Sequence, residues 1–200
     1  MALASTGVTT ISDSFDPQRP ARQVPGGLVQ SVDVSYDSDS EMAVSVREAG
    51  NWLRTSSEEE TIFSLLRGVR SRVEQEFGVA LVPQTVTAVL AGPSREAELP
   101  RTPFKSLTSV KEIAGGSRQG DVSDEYYVLS GVLNQQTGAA IPSRPIEVVY
   151  NAGYSNVPED LKTAIKRIVT DHFDRRSDLP EGPVDEIPRN ARSILRKYRD

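Results

Sequence analysis

The sequence predicts an α+β chain, mainly helical, with a core of about three helices packed on a small antiparallel β-sheet, an extended N-terminal arm and a short C-terminal helix. Apolar residues recur at threes and fours over 62–77 and again over 161–173, the period of an amphipathic helix. Between those stretches, runs such as 85–90 and 146–150 alternate apolar and less apolar residues, the period of a strand. The connections between the strands contain Gly, Pro, Asn and Ser rather than helical patterns, which favours an antiparallel sheet over βαβ units. At 200 residues the chain suits one ordinary domain plus additional segments. The expected organisation is an extended arm over 1–42, a core domain over 43–178, and a hinge with a basic docking helix over 179–200.

In the arm, Pro17, Pro20, Pro25, Gly26 and Gly27 interrupt any regular period, and Val32, Val34 and Tyr36 alternate for long enough to form one short strand. The stretch VSVREAGNWLR predicts a short helix with Val46, Ala49, Trp52 and Leu53 on or near one face and Trp52 in the core. Ser57 and Glu60 have capping-box spacing, so a helix is expected to start there. Its buried stripe is Ile62, Leu65, Leu66, Val69, Val73 and Phe77, and Gly78 closes it in the left-handed conformation. Four strands follow: one ending near Leu90, one within 107–113, one in DEYYVLSG, and PIEVVY with Ile146, Val148 and Tyr150 on one face. Gly153 then permits a turn, Pro158 fits the first helical position, and Glu159 and Asp160 favour the first turn through the helix dipole. Leu161, Ala164, Ile165, Ile168, Val169 and Phe173 form the stripe of a helix ending near Arg176.

Little in the chain points to chemistry. With no cysteine there is no disulfide framework, thiolate nucleophile or cysteine-ligated zinc, and an intracellular assembly site is expected. The start lacks a basic leader and no run approaches the length of a membrane span, so a soluble, unexported protein is expected. The net charge of −5 argues against a surface built to neutralise phosphates. Asp37, Asp39 and Glu41 superficially resemble a calcium loop, but Met42 stands where that loop needs a glycine, and a solvated acidic tract is the better reading. His172 lies between Asp171 and Asp174, but residues one and two apart on a helix diverge, so a surface or packed histidine is expected. AGGSRQG lacks the lysine and helix start of a phosphate loop. The expectation is no enzyme, no catalytic residue, no metal and no cofactor.

The segment RNARSILRKYRD carries five basic residues between Arg189 and Arg199, with Ile194, Leu195 and Tyr198 grouped on a short helix. A solvated tail, docking in an acidic protein groove and contact with nucleic acid all fit. The apolar trio favours the protein groove, because an arm that only meets phosphates has no use for it.

Taken together, WLRTSSEEETIFSLLRGVRSRVEQEFGVALVPQT, LPRTPFKSLTSVKEI and EVVYNAGYSNVPEDLKTAI resemble the head-tail connector proteins of tailed bacteriophages, also called adaptor or head completion proteins. The resemblance covers about residues 44 to 177, in matching order. It implies a structural virion protein of the neck, assembled in the host cytoplasm. It further implies a ring, normally of twelve copies, that lies under the portal protein, joins the capsid to the stopper or tail-completion protein, and continues the DNA channel. By the same resemblance genomic DNA is expected to pass through the lumen without sequence-specific binding. The resemblance also implies that the C-terminal segment enters the portal, which makes Arg189, Arg192, Ile194, Leu195, Arg196 and Tyr198 the candidate portal-binding residues. The first 42 residues are longer than the family's start. Alternatives are another neck or tail-completion protein, such as a stopper, and a small cellular binding domain.

Overall fold

The computed structural model describes residues 11–12, 23–24, 27–36, 42–55, 57–91, 95–139, 144–175 and 187–198. The fold is α+β, and the chain divides into two compact units, each assembled from two stretches of sequence. Met1–Asp39 and Pro83–Gly153 make a sheet unit, while Ser40–Val82 and Tyr154–Asp200 make a helical unit.

Among the described residues the sheet unit holds ten strands: β1 (Ile11–Ser12), β2 (Gln23–Val24), β3 (Gly27–Tyr36), β4 (Gln84–Ala91), β5 (Glu96–Glu98), β6 (Phe104–Ala114), β7 (Ser117–Asp121), β8 (Tyr126–Leu129), β9 (Val132–Gln135) and β10 (Ile146–Ala152). A seven-stranded antiparallel sheet runs β1-β3-β4-β10-β6-β7, with β2 also paired to β3, and a separate three-stranded sheet runs β5-β9-β8. The alternation around Val32, Val34 and Tyr36 forms part of β3, and it pairs along β4 within the same chain, Val34 opposite Val86. β1 and β2 of the same sheet also come from the expected arm, whereas residues 1–10, 13–22, 25–26, the acidic tract 37–41 and residues 176–186, with most of the expected hinge, lie outside the described residues.

β10 pairs with β4 on one side and β6 on the other. Val86, Ala88, Leu90, Val110, Ile146, Val148, Tyr150 and Ala152 are buried, which gives the large sheet one apolar face. Its other face is polar, as antiparallel sheets allow: Thr85 Oγ1 donates to Asn151 Oδ1 at 3.1 Å, and Asn151 Nδ2 donates to Ser106 Oγ at 3.0 Å. On β10 Glu147 is also buried, and Arg118 of β7 answers it, Nε lying 2.6 and 2.7 Å from the two carboxylate oxygens. Gly115 and Gly116, with φ of 59° and 78°, make the two-residue turn between β6 and β7, where both central positions need the left-handed region. Buried Tyr150 ties β10 to the 101–104 loop. Its hydroxyl accepts from Arg101 N–H at 3.0 Å, and its ring lies 6.2 Å from that of Phe104.

The helical unit contains α1 (Val46–Leu53), α2 (Glu59–Phe77), α3 (Glu159–Arg175) and α4 (Arg189–Leu195), the last running into a 3₁₀ turn over Arg196–Tyr198. α2 packs on α1 and α3, α1 also meets α3, and α4 packs on α3. The predicted stripes are buried at Ile62, Leu66, Val69, Val73 and Phe77 and at Leu161, Ala164, Ile165, Ile168 and Val169, whereas Leu65 and Phe173 are only half-buried.

Three local expectations need correction. α2 begins at Glu59, its cap is Glu58 and no side chain caps it, so the Ser57–Glu60 capping box does not form. The helix starts one residue beyond the register which that motif needs. Pro158 stands at the cap rather than the first helical position, since its carbonyl accepts the first helical bond, from Lys162 N–H at 3.1 Å. Trp52 is not core: it is 49% exposed. Its indole N–H donates to Thr170 Oγ1 at 3.1 Å, and Lys166 Nζ lies 5.1 Å from its ring centroid while pairing with Glu48 Oε1 at 2.9 Å. Trp52 therefore latches α1 to α3 by its polar edge and leaves part of its ring outward.

At the end of α2, Gly78 has φ 69° and closes the helix with its N–H on Glu74 O at 3.0 Å, as predicted. The following turn depends on Glu74 itself, only 2% exposed, whose Oε1 accepts from Leu81 N–H at 2.8 Å. Val79, Ala80, Leu81 and Val82 are all buried, so that N–H is shielded from water. Replacing Glu74 by Ala should cost about 1–3 kcal/mol, the usual penalty for a buried donor left without its acceptor. Urea unfolding of Glu74→Ala against Glu74→Gln, which keeps an acceptor oxygen, checks this.

Candidate interaction surfaces

The basic C-terminal segment is docked on its own helical unit. A helix of seven residues is marginal alone and needs a surface. Ile187, Ala191 and Leu195 are buried, with Leu195 wholly inaccessible. Arg192 Nη2 pairs with Glu76 Oε1 of α2 at 3.1 Å. The Tyr198 hydroxyl donates to Asp160 Oδ1 in the first turn of α3, and its ring meets that of Tyr154 edge-on at 6.5 Å.

The six residues singled out from the sequence thus divide by role. Leu195, Arg192 and Tyr198 hold the segment in place, so the grouped apolar face expected of Ile194, Leu195 and Tyr198 does not exist as a free surface. Leu195 alone turns inward, because a side chain four residues after Ala191 shares its buried face. Arg189 and Arg196 are exposed, together with Lys197, and Ile194 is half-buried. What remains outward is a basic ridge with one partly covered apolar residue.

A second surface was not anticipated. Among the described residues the large exposed hydrophobic side chains are Trp52, Tyr127 and Leu129, and the last two share one strand. On β8 they point to the same face, and the register places Asn134 and Val132 of β9 and Glu96 and Glu98 of β5 on it as well. The opposite face carries Tyr126, Leu133, Gln135 and Ala97, all buried. The alternation of YYVL was legible, but which of its two faces is outward depends on what covers the other.

His172 is half-buried near the end of α3, and among the described residues no group of three or more His, Asp or Glu is placed to hold a metal ion. No described helix is long and apolar enough to cross a membrane.

Truncating Leu195 to Ala should cost about 2–5 kcal/mol, the range for a buried leucine, whereas Lys197→Ala should leave the melting temperature nearly unchanged; thermal unfolding compares them. The Tyr198–Asp160 hydrogen bond pulls the Asp160 carboxyl below its ordinary 3.8 and, with burial adding to it, pushes the Tyr198 phenol up to about 12. The contact therefore contributes fully between pH 3.8 and 10; it fades as pH falls through the lowered Asp160 value or rises toward 12. An NMR titration of Tyr198→Phe should show Asp160 moving back up toward 3.8.

No protein-family model and no curated protein sequence matches the chain. Solved structures do share its fold. A chain in the neck of the empty gene transfer agent (GTA) particle, computed with C6 symmetry, aligns with a TM-score of 0.63 at 19% identity, over 78% of this chain and 89% of that one. A chain of the native GTA virion aligns at 0.62 and 18% identity over 78% and 89%. A chain in the native GTA neck, computed with C12 symmetry, aligns at 0.61 and 17% identity over 78% and 88%. At these identities the likeness is one of fold, and it agrees with the resemblance to head-tail connector proteins drawn from the sequence.

Proposed function

We propose that the chain is a structural, non-enzymatic protein of the neck of a tailed phage or phage-like particle, acting as a head-tail adaptor. In this reading it forms a ring, of twelve copies, beneath the portal protein and continues the DNA channel towards the stopper or tail-completion protein. The observation that carries the reading is the fold likeness to chains of GTA particle necks, spread over 78% of this chain rather than one motif. The symmetries used for those necks, C6 and C12, favour a cyclic arrangement.

The physical properties of the chain support the same reading. A head-to-tail ring requires two different surfaces on each subunit, and the open face of β8 and β9, with Tyr127 and Leu129 outward, is suited to be one of them. Contacts too weak to hold a free ring add up when a portal template presents many sites at once. An excess of acidic residues suits a channel through which DNA must slide without being held. We assign portal attachment to Arg189, Arg196 and Lys197 with the exposed part of Ile194, while Arg192, Leu195 and Tyr198 present that ridge to the portal's acidic surface.

The measurement is native mass of the purified full chain, alone and with the portal protein of the same genome. The reading expects portal complexes carrying a full ring of copies, and it expects Arg189→Glu with Arg196→Glu to weaken attachment without unfolding the chain. A chain that ignores the portal overturns the adaptor assignment.

A further inference from the structure

We draw no further inference here: the strongest candidate, the outward face of β8 and β9 around Tyr127 and Leu129, is an exposed apolar patch, and nothing in the structure shows what covers it.

Discussion

β10 is the element on which the rest of the sheet unit depends. It is the last strand in sequence yet lies in the middle of the large sheet, hydrogen-bonded to β4 along one edge and to β6 along the other. Neither neighbour is fully paired until it arrives. Its buried residues, Ile146, Val148, Tyr150 and Ala152, lie at alternate positions, so a slip of one residue would turn the whole set to the polar face. Tyr150 guards the register from the side, because its hydroxyl reaches Arg101 only when the strand is correctly seated. Gly153, at φ 112°, then donates its N–H to Pro103 O at 2.9 Å, and the chain leaves the sheet unit there.

This topology interleaves the two units. The chain enters the helical unit after β3, returns for β4 through β10 and leaves again for α3, so neither unit is continuous in sequence. β3 and β4 form a long ladder although α1 and α2 stand between them in the chain. Each unit therefore closes a large loop in the other, and such non-local pairings come late in folding because loop-closure entropy is paid first. The polar side of the sheet adds specificity of its own. The buried Glu147 carboxylate is tolerated because Arg118 meets both its oxygens, and the burial cost of a lone carboxylate would otherwise oppose the strand.

In the helical unit two short segments give up their freedom to larger ones. The turn after α2 is secured by Glu74, and α4 is secured by Leu195, Ala191, Arg192 and Tyr198. The consequence for interaction is that the basic charges of the C-terminal segment sit on a fixed ridge. A fixed ridge loses less entropy on binding than a free tail.

By itself the sequence determined the secondary elements whose signals are local. The stripes at Ile62–Phe77 and Leu161–Val169, the alternation at Val86–Leu90 and Ile146–Tyr150, and Gly78 and Gly153 at positive φ were all legible, because period and backbone freedom are properties of the chain alone. The resemblance to connector proteins rested on those same segments in order, and the fold likeness agrees with it. Tertiary structure decided whatever depends on a partner distant in sequence. Ser57 had the spacing of a cap but the helix began one residue later, and Trp52 had the spacing of a core residue but found Thr170 on another helix. Leu195 looked like a ligand for another protein and is covered by its own unit. Tyr127 and Leu129 alternate as their neighbours do, and only the burial of Tyr126 and Leu133 shows which side is outward. Burial is a relation between segments rather than a property of one, so which side chains face outward was the part that a reading along the chain left open.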